Sequence, residues 1–344
     1  MANLSLDEQY RNEKQPDKKT RYGNWTTAKG LQAVDGLETS PYLDSVAKDH
    51  IEGRYDSYRA KELIDSYYQT KADREEIEQY AEADMVAARI NILIGEKAFT
   101  LSTEELLSIH ERLFKGVFEF AGQIRKINIE KAEWVLAGDT VIYGEAFNLK
   151  VSLDEAMKKE RFTPFGSMDE EEQIAHLASF CSHIWQLHPF REGNTRTVAV
   201  FMIKYLRKLG FEVDNTLFQN HSRYFRDALV RANYSSINRG IYEDGFFLED
   251  FFSDLLVGTK HTFRSRDLLV GPDGTVLKLR EETLDEAICL VIGETPSVTR
   301  KQLAENLGVS EKTIERHLRQ LGYVHTGSKK RGFWERTEKL LSGE

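Results

Sequence analysis

The chain has 344 residues, 47 Lys and Arg against 56 Asp and Glu, a formal net charge of −9 and two cysteines. Its length implies two or three domains with real cores, and Cys181 and Cys289 are too few for a disulfide framework, which points to a reduced, cytoplasmic chain. No run of eighteen apolar residues exists, and residues 1–8 lack the basic and apolar regions of a signal peptide, so neither a membrane span nor export is expected.

Residues 1–22 are polar and charged and read as disordered. From Ser57 to Leu256 a helical period dominates, as at Ala83, Val86, Ala87, Ile90, Leu93 and Ile94, then Leu106, Leu107, Ile109, Leu113 and Phe114. One stretch before the C-terminal region reads as strand. Alternation at Ile127 and Ile129, the apolar Trp134, Val135 and Leu136, a Gly138-Asp139 turn, and Val141 to Tyr143 predict a β-hairpin.

Residues 188–196, His-Pro-Phe-Arg-Glu-Gly-Asn-Thr-Arg, carry the chemistry. Upstream, Ile174, Leu177, Ala178, Cys181, Ile184 and Trp185 follow a helical period. Downstream, Val198, Phe201, Met202, Tyr205, Leu206 and Leu209 do the same until Gly210 stops them. The run is therefore a loop between two buried helices. Its Gly193-Asn194-Thr195 opens the second helix, where N–H groups without intrahelical acceptors and the helix dipole make an anion site. Glu192 is a hard oxygen ligand suited to Mg²⁺ shared with phosphates, Arg196 is a forked cation for phosphate oxygens, and His188 can take a proton near neutral pH. Singly, Glu192 with Arg196 could be a solvated i,i+4 pair, and His188 a core histidine. Together with Gly-Asn at the helix start they share no common packing reason.

At these positions the chain resembles the Fic family of AMP transferases, whose motif is H-x-F-x-(D/E)-G-N-G-R-x-x-R. His188, Phe190, Glu192, Gly193, Asn194 and Arg196 match it. The resemblance spans about residues 25–260 and implies transfer of AMP from Mg·ATP to a Ser, Thr or Tyr hydroxyl of a target protein. It makes His188 the general base and Glu192 the Mg²⁺ ligand. It assigns Gly193, Asn194, Thr195 and Arg196 to the phosphates, and Tyr224 and Tyr234 to the nucleotide's surroundings. Residues 120–129 look like the family's lead into a flap that docks the target by strand addition, here Lys131, Ala132, Glu133, Trp134 and Val135. Ile51-Glu52-Gly53 is similar to the family's (S/T)-x-x-x-E-(G/N) inhibitory helix, which would place Glu52 beside the phosphate site as a restraint, using Arg196. Three positions depart from the pattern: Thr195 replaces a glycine, Ala199 the second arginine and Lys48 the Ser/Thr of the inhibitory motif. Because a charged hydrogen bond contributes about 1.5–3 kcal/mol, Ala199 should alter both ATP binding and the inhibitory latch.

The last stretch reads as a separate module. Gly271-Pro272-Asp273-Gly274 marks a turn and Val276 to Leu279 a short alternating run. Ala287 to Ile292 is a short apolar helix, and Thr299 to Ser310 followed by Ile314 and Leu318 gives a helix-turn-helix pattern. Tyr323 to Trp334 looks like a basic wing, so the module resembles a winged helix. From Thr299 to Leu341 ten Lys and Arg face five acids, net +5, leaving −14 for the rest. Lys312, Thr313, Arg316, His317 and residues 329–331, Lys330 among them, are the expected DNA contacts. Winged helices also serve as protein-docking or dimer modules, and a homodimer is allowed.

The expected architecture is mainly α: an N-terminal region with the candidate inhibitory helix (1–75), a Fic-type core with a β-hairpin flap (76–265), a linker (266–280) and a winged helix-turn-helix (281–344). Three functions are compatible with it: an AMP transferase using ATP and Mg²⁺, a DNA-binding regulator with a nucleotide-sensing core, and an enzyme of the same fold that removes AMP or moves another phosphate-containing group.

Overall fold

A computed structural model describes residues 16–70, 75–213, 216–270, 281–307, 309, 311–327 and 332–336. Among them the protein is mainly α-helical, with thirteen α-helices and one two-stranded sheet. No described helix is long and apolar enough to cross a membrane. The chain forms two compact units, each assembled from separated stretches.

The first unit comprises Met1–Asn128, Gly144–Ser222 and Phe252–Thr259. It opens with α1 (Lys18–Gly30), which starts where Asp17 accepts from the Thr20 N–H at 2.7 Å. Residues 18–22, expected to be disordered, are therefore helical. The cap and the burial of Trp25, Ala28 and Leu31 outweigh the polar composition of that first turn. A 3-10 turn, Leu31–Asp35, follows and ends at Gly36 in the left-handed region. Next come α2 (Pro41–Ile51), α3 (Ser57–Thr70) and α4 (Glu75–Gly95). The buried Asp84 of α4 ties all three together: it accepts from the Ser40 N–H at 2.9 Å, the Ser40 hydroxyl at 2.5 Å and the Tyr68 hydroxyl at 2.6 Å. Burial still pushes its carboxyl above the usual range.

Helices α5 (Thr103–Phe114), α6 (Leu149–Phe162), α7 (Glu170–Leu187) and α8 (Asn194–Leu209) complete this core. Helix α7 begins with a capping box between Asp169 and Glu172. Helix α8 is buried on every side from Asn194 to Leu206, so it is the central helix rather than a half-exposed one. Its Lys204 is buried as well and donates to the Leu93 carbonyl at 2.9 Å, while Arg207 reaches that of Ile94. These cations sit at the C-terminal end of α4, where unpaired carbonyls favour positive charge.

The second unit comprises Ile129–Tyr143, Arg223–Phe251 and Lys260–Glu344. Helix α9 (Thr216–Ala232), kinked at His221, and α10 (Phe246–Leu256) run across the division of the chain. The C-terminal part follows the order α11 (Glu281–Glu294), α12 (Arg300–Leu307), α13 (Glu311–Gln320), β1 (Tyr323–Thr326) and β2 (Phe333–Arg336), with β1 and β2 antiparallel. The turn signals at 271–274, the run 276–279, Gly308, Ser310 and residues 329–331 lie outside the described residues.

The hairpin expected at 127–143 is not formed. Its residues hold no strand, and Trp134–Leu136 is a 3-10 turn. Trp134, Val135 and Leu136 are all fully buried. A hairpin covered on one face buries alternate residues only, whereas this turn buries all three. The loop closes on itself through Glu133 N–H to Asp139 O at 2.8 Å and Gly138 N–H to Glu133 O at 3.0 Å. The Trp134 indole donates to Asp227 at 2.9 Å, Arg226 pairs with Glu133 at 2.8 Å, and Val270 N–H donates to Val135 O at 2.8 Å.

Candidate active site

The loop between α7 and α8 is held in a shape that its own residues would resist. His188, at the C-cap of α7, has φ 49° and ψ 59°, a left-handed conformation that costs a residue with a Cβ about 1–3 kcal/mol. Its N–H donates to Trp185 O at 3.0 Å. The main brace is Arg125, only 3% exposed. Its Nε donates to His188 O at 2.8 Å and Nη1 to Ile127 O at 2.7 Å, while Nη2 donates to the carbonyls of Gly144 and Leu187. The Arg125 N–H adds a bond to Pro189 O at 2.8 Å. One guanidinium thus satisfies carbonyls left over at the end of α7 and fixes the backbone that carries the imidazole. The His188 ring is buried, edge-on to Trp185, with Nδ1 3.3 Å from Trp185 O.

A second brace comes from α5. His110 is fully buried and stacks on Phe190 with ring centroids 3.7 Å apart. Its Nδ1 accepts from the Gly122 N–H at 2.8 Å, which leaves Nε2 to donate to Glu192 O at 3.1 Å. Burial pushes this imidazole down to about 4, so it is neutral at physiological pH and its tautomer is set by Gly122. His110 sits among Leu106, Ile109 and Leu113 on the apolar side of its helix, which is why the sequence presents it as ordinary core.

Gly193 cannot be replaced sterically. It has φ 77°, and a Cβ there would lie 2.5 Å from the Phe114 ring. Both amide atoms of Asn194 are engaged within the loop: Oδ1 accepts from Phe190 N–H at 2.9 Å and Nδ2 donates to Phe190 O at 2.8 Å. Thr195 gains a reason for replacing a glycine, because its hydroxyl accepts from the Trp185 indole at 3.0 Å. What these residues present at the opening of α8 is therefore backbone N–H groups. Ala199, where the motif's second arginine would stand, is fully buried.

Arg196 is 2% exposed, and its guanidinium is turned to the N-terminal helices. Nε lies 2.7 Å from Asp35 Oδ2, an ion pair whose angle leaves the Nε–H without a hydrogen bond. Nη2 donates to Glu82 Oε1 at 2.7 Å and Nη1 to Gln32 Oε1 at 3.2 Å, and the Phe114 ring lies 4.8 Å away. Glu52, expected at this place, is instead the C-cap residue of α2 and pairs with Lys18 at 2.8 Å, its side chain 44% exposed. Lys18 holds its carboxyl below the usual range. The reason is positional: the turn after α1, not the end of α2, meets α8.

Glu192 has an exposed side chain next to the start of α8. Among the described residues no group of three or more His, Cys, Asp or Glu could hold a metal alone. A single hard carboxylate beside a phosphate site still fits Mg²⁺, which takes one or two carboxylates and completes its shell with substrate phosphates. Tyr224 and Tyr234 belong to the second unit. The first is buried against Phe263, and the second donates to Asp139 at 2.6 Å. Of the flap residues, Glu133, Trp134 and Val135 are buried within that unit, and only Lys131 and Ala132 reach its surface. Lys312 and Arg316 are exposed and Thr313 half-buried on α13, while His317 is buried; Lys330 lies outside the described residues.

Residues 100–206, from just before α5 through most of α8, match the family model described as Fic/DOC family. Among curated relatives, it is 33% identical over 126 residues to a probable protein adenylyltransferase, y4lH, of Sinorhizobium fredii, covering 36% of this chain and 62% of that protein. It is 28% identical over 133 residues to the protein adenylyltransferase VbhT of Bartonella schoenbuchensis, covering 39% and 25%. The chain thus spans less than two thirds of the length of these relatives. Among solved structures, a Fic family protein from Desulfovibrio desulfuricans is similar at 14% identity and TM-score 0.46, covering 98% of this chain and 91% of that one. The BepC protein of Bartonella tribocorum, solved with bound AMPPNP, is similar at 20% identity and TM-score 0.39, covering 50% and 82%.

Proposed function

We propose that the protein is an adenylyltransferase that moves AMP from ATP to a hydroxyl side chain of a protein target, restrained by its own N-terminal segment. The observation that carries the reading is the α7–α8 loop. A buried histidine is braced at one end, N–H groups without intrahelical acceptors open α8 at the other, and an arginine stands in the first turn of α8. The names of the curated relatives support the same chemistry.

In this reading the target's hydroxyl oxygen attacks the α-phosphorus of ATP, the bond from that phosphorus to the bridging oxygen breaks, and pyrophosphate leaves. His188 accepts the hydroxyl proton. The N–H groups at the opening of α8 bind phosphate oxygens, and Arg196 steadies the leaving group once released from its present partners. Glu192 would hold Mg²⁺, which when bound offsets phosphate charge. Restraint falls to Asp35, with Gln32 and Glu82, since these groups already occupy the guanidinium a nucleotide would need. Ala132, exposed beside the buried Trp134, is where a target segment would meet this turn.

The test is intact mass of the protein, alone and with a lysate, after incubation with ATP and Mg²⁺. Gain of AMP by the wild type and none by His188→Ala is expected. A gain of phosphate, a loss of AMP from a pre-labelled target, or labelling undiminished in His188→Ala would overturn the reading.

A further inference from the structure

The C-terminal helices carry a surface for which AMP transfer has no use. Helix α13 buries Ile314, His317 and Leu318. His317 Nδ1 lies 2.6 Å from Asp285 Oδ1 of α11, which fixes the rotation of α13 about its axis. At about 100° per residue, Lys312, Arg316 and Arg319 fall opposite that buried stripe, within roughly 60° of arc, and all three are exposed. Gln320 lies beside them. Glu311 and Glu315 stand along one edge, where Glu315 pairs with Arg300 at 3.4 Å and Arg319 at 3.5 Å. Such exposed pairs contribute little and yield readily to a denser anion. With Arg300 and Lys301, the described exposed charges of α12 and α13 are five cations and two anions, in a chain of net −9.

The framework around this face is tied together by hydrogen bonds. Thr299 and Gln302 cap α12 reciprocally, at 3.2 and 2.8 Å. Trp334 of β2 is fastened to the segment before α12 by its N–H to Pro296 O at 2.8 Å and its indole to Val298 O at 2.7 Å. Three helices followed by a hairpin, with the third helix presenting its outer face, match the helix-turn-helix arrangement whose last helix reads DNA. That face has no apolar side chain at its centre, unlike a protein interface, whose core is apolar and depleted in charge. Forked cations and an amide instead suit phosphates and base edges. The helix is about 15 Å long and of a width the major groove admits.

We propose that α13 is a recognition helix that enters the major groove of duplex DNA, with Lys312, Arg316 and Arg319 as its cationic contacts. The experiment is fluorescence anisotropy of the full chain with a short random-sequence duplex, from about 50 to about 200 mM salt. Binding that weakens steeply with salt is expected. Lys312→Glu with Arg316→Glu should weaken it about tenfold or more, and the milder Lys312→Gln with Arg316→Gln should flatten the log–log salt slope by about two. Unchanged Trp fluorescence and circular dichroism report that the module is still folded. Absence of wild-type binding at about 100 µM, or variants that bind as the wild type does, would overturn the proposal. So would a change in sedimentation of the charge-reversed chain without DNA alongside unaltered DNA binding, which would give the face to a protein partner. None of these readouts depends on AMP transfer.

Discussion

If the proposed function holds, replacing Asp35 by Ala should speed AMP transfer by relieving the restraint on Arg196. In the structure Asp35 meets the Arg196 guanidinium at 2.7 Å in a setting where Arg196 is almost fully buried. Removing one member of so close an ion pair costs about 1.5–3 kcal/mol, the low end of the coupling between close charge pairs. The larger penalty of stranding a buried charge does not apply, because Glu82 stays at 2.7 Å and keeps the cation paired. If that energy is what a nucleotide must overcome to reach Arg196, its loss raises apparent ATP affinity by about ten- to 150-fold, at tenfold per 1.4 kcal/mol. The assay is the initial rate of AMP incorporation at subsaturating ATP. Asp35→Ala should be faster by at least tenfold, the gap closing as ATP saturates, while Glu52→Gly changes little because its partner is Lys18. Rates equal to wild type in a folded Asp35→Ala, or acceleration confined to Glu52→Gly, would refute the reasoning and return the restraint to the end of α2.

Other expectations follow from single positions. Gly193→Ala would force a Cβ against Phe114 at a backbone angle alanine resists, and should lower the melting temperature and abolish labelling. Arg125→Lys keeps the charge but one nitrogen cannot serve the carbonyls of Leu187, His188, Ile127 and Gly144; kcat should fall at least tenfold with little change in the KM for ATP, and Arg125→Met should behave no better. His50 accepts from the Trp25 indole at 2.8 Å, and burial pushes it from 6.5 down to about 4. A histidine whose folded value is depressed stabilises the protein above 6.5 and loses that contribution as pH falls toward 4. The unfolding free energy from urea titration should therefore drop between pH 7.5 and 4.5, by an amount on the order of 2 kcal/mol, and a folded His50→Gln should show a flatter profile over the same window.

Periodicity and glycine placement settled a good deal of this protein before any tertiary contact was known. The two helices around residues 188–196 and the end of α8 at Gly210 are local matters, set by spacing and by which φ values a Cβ allows. The helix order of the C-terminal module is of the same kind. Tertiary structure decided the rest. Arg196 meets Gln32 and Glu82 across 164 and 114 residues, and only the docking of the turn after α1 onto α8 selects Asp35 over Glu52, two acids each followed by glycine. His110 and Arg125 acquire their tasks from carbonyls and an N–H that come within reach on folding. The segment at 134–136 has strand-forming residues, yet the acceptor at Asp227 and the burial of three neighbours in succession make it a turn. Local spacing encodes conformation, whereas the partner of a charge or a carbonyl is fixed by chain topology, which no short window contains.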